Sequence, residues 1–190
     1  MGNINESLVR EFFEMSGFVV KANRKFVPKG KASKRGVDFV IINLNTNQTK
    51  ELTEFTLDGE SAKLVHSAII RIEPWHTDKF YPSVIQKDEG LLDFLSPDNL
   101  KEAQKILKTA DFKKILVISN LPANKDMREK SEQLLRIKGV DHLITFPSML
   151  SWLVKNINSN KNYYNDTLEL LRVLKHYKFF KKPQLELFKK

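Results

Sequence analysis

Cysteine is absent from this 190-residue chain. That absence excludes a disulfide framework, thiol catalysis and any thiolate zinc site, so a bound metal would be held by oxygen or imidazole. Hard cations then become the first expectation. Long hydrophobic runs are missing as well, since no stretch approaches the roughly 18 apolar residues that a membrane helix needs. The opening "MGNINESLVR" lacks the apolar core of a signal peptide, and Glu6 stands where a myristoylation signal wants Ser or Thr. A soluble, cytoplasmic protein with no membrane partner is expected.

Acidic residues are in deficit: 32 Lys and Arg face 23 Asp and Glu, for a formal charge of +9. Such an excess favours a polyanionic partner through counterion release and long-range attraction. Nucleic acid is the leading candidate and an anionic membrane surface the second. The plainer alternative is a lysine-rich surface that serves solubility. Hydrophobic residues at 41% and charged residues at 29% suit one globular domain. We set that domain at residues 1–178, followed by a basic tail over 179–190.

"NINESLVREFFEMSG" puts Ile4, Leu8, Val9, Phe12, Phe13 and Met15 on a helical stripe and closes with Gly17. "FVVKANRKF" reads as a strand and "VPKGKASKRG" as a basic loop. "VDFVIINL" and "AIIRIEPW" are nearly continuous apolar runs, as strands covered on both faces should be, and Pro74 stops the second. "TLDGESAKLVHS" between them has room for a short helix. Further along, "KKILVIS" and "VDHLITF" read as buried strands. "SPDNLKEAQKILK", with Ser96 as N-cap, reads as a helix, as do "NKDMREKSEQLLRIKG", "PSMLSWLVKNI" and "NDTLELLRVLKHY". Strands alternating with helices predict an α/β fold, a central sheet flanked by helices.

Chemistry gathers at two strand ends. Asp38 enters a strand otherwise made of Val, Phe and Ile, where an isolated carboxylate would cost several kcal/mol. Arg71 and Glu73 are two apart in the next strand and so share a face. If the strands pair, Asp38 and Glu73 converge on one Mg²⁺ or Mn²⁺, with Arg71 beside them as a fixed cation. That grouping suits phosphodiester hydrolysis. The alternative is a structural ion pair at the sheet's end.

An N-terminal helix bearing a glutamate, a "GVD" strand, and a second apolar strand with an acid and a base two apart resemble the PD-(D/E)xK nucleases. This is the restriction-endonuclease-like and Holliday-junction-resolvase-like superfamily. The resemblance spans roughly residues 1–120. It implies a restriction-endonuclease-like mixed sheet, Mg²⁺ or Mn²⁺ as cofactor, DNA as substrate, and dimers as a common state. Asp38 matches the family's aspartate, and Glu6 matches the helix glutamate that often joins the metal site. The second motif departs: the family order is acid then base, whereas "RIEPWHTD" has Arg71 before Glu73. Either the exchanged pair still supplies a carboxylate and a cation, or the fold and DNA surface persist without cleavage. Arg71 could stabilise charge in the first case but not act as a base.

His76 and Asp78 follow in "WHTDKF", where His76 is a candidate for touching phosphate, although Trp75, Phe80 and Tyr81 suggest a loop packed on the domain. His66 and His142 read as satisfied core histidines, and His176 as a solvated helix end. Lys21, Arg24, Lys25, Lys29, Lys31, Lys34 and Arg35 lie close to Asp38 in sequence and could clamp a phosphate backbone, or simply be solvated. In the tail, "QLELF" resembles the pentapeptide by which bacterial DNA-polymerase partners dock on the sliding clamp. Gln184 would enter a polar pocket and Leu187 with Phe188 an apolar one; packing of the tail back onto the core is the alternative.

Overall fold

The computed structural model describes residues 4–23, 36–45 and 52–180. Within them the chain is α/β: a six-stranded mixed sheet with helices on both faces. Helix α1 (Ile4–Met15) leads into β1 (Phe18–Ala22), which pairs antiparallel with β2 (Phe39–Asn43). A two-residue strand β3 (Thr56–Leu57) and the short helix α2 (Gly59–Ala62) precede β4 (Ser67–Glu73). Next come α3 (Pro82–Lys87), a 3₁₀ turn at Asp93–Leu95, α4 (Pro97–Leu107) and β5 (Lys113–Ile118). Helix α5 (Lys125–Ile137), β6 (His142–Thr145), α6 (Phe146–Asn156) and α7 (Asp166–His176) complete the order. Across the sheet the strands run β1-β2-β4-β5-β6-β3, antiparallel as far as β4 and parallel beyond it.

The continuous apolar runs are the interior strands, because both faces of β2, β4, β5 and β6 are covered. One core layer joins Ile70 and Ile72 of β4 to Phe12 and Phe13 of α1, Trp152 of α6 and Leu168 of α7. The other joins Val40, Ile69 and Leu116 to Ile85 of α3, Ala103 of α4 and Leu135 of α5. Alternate residues of one strand therefore feed opposite layers. Gly17 and Gly139 follow α1 and α5 with positive φ of 93° and 98°, as helix ends that turn left-handed require.

Several expectations need correction. The short helix for which residues 56–67 have room is there as α2, but the edge strand β3 just before it has no local signal and comes from pairing with β6. Ser96 stands at the N-cap of α4 but its side chain makes no cap bond there. Ile4 is exposed rather than part of the buried stripe, and His66 is exposed rather than in the core. His142 is buried as expected, with Nδ1 2.9 Å from the Glu54 carbonyl, and burial lowers its pKa.

Helix α2 fixes a tight contact under the sheet. Asp58 caps it by accepting from the Glu60 and Ser61 amides, and Trp152 Nε1 donates to Glu60 Oε1 at 2.8 Å. A Cβ at Gly59 would run into the Trp152 indole. Gly59→Ala is expected to destabilise the fold by about 1–3 kcal/mol. Trp152→Leu added to that variant should recover part of the loss in urea unfolding, since the obstruction is the indole itself.

Candidate functional site

Antiparallel pairing of β2 with β4 sets the beginning of one strand beside the end of the other. Phe39 is opposite Ile70, so the same register carried out by one residue sets Asp38 against Arg71. By alternation Asp38 falls on the side of Val40, and Arg71 and Glu73 fall on the side of Ile69. Val40 and Ile69 share one core layer, so all three charged side chains stand on the same face of the sheet.

There Arg71 lies between the two carboxylates. Its Nη1 donates to Asp38 Oδ1 and Oδ2 at 3.3 Å, and to the Gly36 carbonyl at 3.3 Å. Its Nε and Nη2 donate to Glu73 Oε1 at 2.8 and 2.6 Å. Asp38 Oδ2 also accepts from the Ile72 backbone N–H at 2.7 Å. The side chains of Asp38, Arg71 and Glu73 are 21%, 13% and 4% exposed, so the group is open at Asp38 and almost sealed at Glu73. Two carboxylates against one guanidinium leave a formal charge of −1.

Burial pushes the Asp38 pKa up from the ordinary 3.8 to about 6; Arg71 and the Ile72 amide oppose the rise, and Glu6 and Glu73 add to it. Glu6 is itself exposed in the first turn of α1, within electrostatic range of Asp38. The neighbouring Asn5 ties that turn to the loop after β4, because its Oδ1 is 2.9 Å from His76 Nε2. His76 also meets Phe146 edge to face, and Trp75 stacks on Phe80 at 4.9 Å. The loop is thus packed on the domain as expected, though Tyr81 is exposed. Residues 5 and 76 are far apart in sequence, and only the folded chain reveals their contact.

Among the described residues, no group of three or more His, Asp or Glu gathers as a metal cage. Asp38 and Glu73 offer carboxylate oxygens, the ligand type that hard cations such as Mg²⁺ or Mn²⁺ take. Of the basic residues near Asp38 in sequence, Lys21 is exposed on β1 opposite Val40. Arg24, Lys25, Lys29, Lys31, Lys34 and Arg35 lie outside the described residues, as do Gln184, Leu187 and Phe188. No helix among the described residues is long and apolar enough to cross a membrane. No protein-family model, curated protein or solved structure matches this chain.

Two outcomes follow from the charge arrangement. Removing the guanidinium takes away its bonds to both Asp38 and the nearly buried Glu73, so Arg71→Ala is expected to cost about 3 kcal/mol or more at neutral pH. Glu73→Gln in the same chain should return part of that in urea unfolding. The raised Asp38 pKa means the folded chain holds that proton more tightly than the unfolded one. Its stabilising effect is present below the ordinary carboxylate range and is lost as pH rises through about 6. In EDTA, the gap in unfolding free energy between wild type and Asp38→Asn should move against wild type by about 2 kcal/mol from pH 4.5 to 8.

Proposed function

We propose that this chain is a DNA-binding, divalent-metal-dependent phosphodiester hydrolase of restriction-endonuclease-like fold. One observation carries the reading: Asp38 and Glu73, from neighbouring strands, are held within reach of a single positive centre at one end of the sheet. Support comes also from the order of elements, with a glutamate-bearing helix, an aspartate opening one strand, and an acid–base pair closing the strand beside it.

Asp38 and Glu73 would hold Mg²⁺ or Mn²⁺, which supplies Lewis acidity and lowers the pKa of water when bound. The Arg71 guanidinium would offer a phosphate oxygen a fixed cation and leave proton abstraction to water or another group. Glu6 adds negative potential near Asp38, and the Asn5–His76 contact holds the turn that carries it. His76 and the basic residues Arg24, Lys25, Lys31, Lys34 and Arg35 would meet the phosphate backbone. Clamp docking through Gln184, Leu187 and Phe188 rests on the pentapeptide alone.

A second reading has its own observation. The Arg71 guanidinium already fills the space between the carboxylates, and a chain that keeps it there would bind DNA without cutting. Incubation of supercoiled plasmid, branched DNA and single strands with Mn²⁺ or Mg²⁺ separates the two. The nuclease reading expects nicking that falls by about two orders of magnitude or more in Asp38→Ala, with DNA binding retained. DNA binding with no cleavage under any divalent metal would leave the silent binder.

A further inference from the structure

Outside the carboxylate site, two adjoining clefts of about 200 and 530 Å³ open between the second half of α4 and the start of β5. Their walls carry Lys101, Lys105 and Lys108, with Gln104 between them, and Leu100 and Phe112 contribute apolar surface. Positions 101, 104, 105 and 108 recur at the spacing of one helix face, and all four are exposed. None of the three lysines is in a salt bridge among the described residues.

Lys108 adds an independent sign. It closes α4 in the left-handed region, with φ 56° and ψ 25°, and is one of two non-glycine residues with positive φ among the described residues. Glycine takes that conformation without strain, whereas a side chain there is held at a cost. The chain therefore bears local strain to keep a long cationic side chain at the mouth of the cleft.

The place of the cleft relative to Asp38 and Glu73 gives it a use. Helix α4 packs on the same core layer as the face that bears the carboxylates. Lys113, where β5 starts, pairs with Ala68, five residues before Glu73, so the cleft lies roughly 17 Å back along the sheet. Along α4 the lysines span about 10 Å, a length over which one nucleic-acid strand presents about three phosphates. We propose that the α4 groove is a second anchoring site for the phosphate backbone of a nucleic-acid strand, holding it several nucleotides from Asp38 and Glu73. The lysines neutralise phosphates, and Leu100 with Phe112 offers a surface for the sugar or base edge.

The inference rests on the nucleic-acid-binding part of the function proposed above. It is tested by fluorescence anisotropy with a labelled 20-nucleotide oligo(dT) across a salt series, in EDTA. Lys101→Ala/Lys105→Ala/Lys108→Ala is expected to weaken binding about tenfold and to lower the slope of log K against log salt by about 2. A control that removes the same charge from the other side of the sheet, Lys155→Ala/Lys161→Ala/Lys178→Ala, should change the slope far less. Lys108→Gly should raise the urea midpoint while weakening binding, a split that a merely structural lysine would not show.

Equal losses in the two triple variants would overturn the groove and leave only a general charge effect. Unchanged binding in the groove variant would overturn it while the carboxylate reading stands. Lysine-dependent binding without cleavage under any metal would support the groove and remove the catalytic reading. No binding by the wild-type chain at low salt would overturn both.

Discussion

The site depends on one guanidinium held between carboxylates from two strands that run in opposite directions. Antiparallel pairing is what makes this possible, because it brings the entrance of β2 against the exit of β4. An acid at residue 71 and a base at 73 would set two carboxylates directly across from each other. With the order exchanged, the second acid lies about 6–7 Å further along the strand, and Asp38 faces an arginine instead. The long arginine side chain then closes the gap, with Nη1 towards Asp38 and Nε with Nη2 towards Glu73. Inversion of the pair thus does not scatter the charges; it places a resident cation between them.

That arrangement persists only because the register of β2 on β4 is fixed. Both strands are covered on each face, so a slip of one residue would turn Ile70 and Ile72 out of one core layer and push charged groups into it. The cost of such a slip far exceeds what the ion triad itself contributes. The core on either side therefore holds the triad in place, and the triad needs no favourable energy of its own. Glu73 is nearly sealed against Arg71, whereas Asp38, closer to water, is held in tension between burial and its partners.

How much of this could be read from the residues follows the same physics. The interior strands announce themselves, because a strand covered on both faces is apolar along most of its length, and "VDFVIINL", "AIIRIEPW" and "KKILVIS" are nearly continuous apolar runs. Parity puts Arg71 and Glu73 on one face; that Asp38 shares it follows from the register of β2 on β4, which the fold supplies. Parity has no metric, however, and could not say that Arg71 would reach both acids. Two-residue β3 and six-residue α3 were missed, since neither is long enough to show a period and both are set by what they pack against. The Asn5–His76 contact had no local signal at all, being a product of where α1 crosses the end of the sheet. His66 misled because apolar neighbours in sequence do not determine which way one side chain faces.

In the proposed function, the distribution of charge separates holding from cutting. The chain carries +9 in total, yet the Asp38–Arg71–Glu73 group has a formal charge of −1. A phosphate backbone is therefore drawn towards the protein by its field and repelled at the carboxylates themselves. Affinity for such a strand then comes from cationic surface elsewhere, such as the outer face of α4, whose lysines are in no salt bridge among the described residues. In that reading, approach of a phosphate to Asp38 calls for a cation at the carboxylates. Polyanion binding and metal binding are coupled in that reading, since each neutralises part of the charge that opposes the other, although they occupy different places on the same face of the sheet.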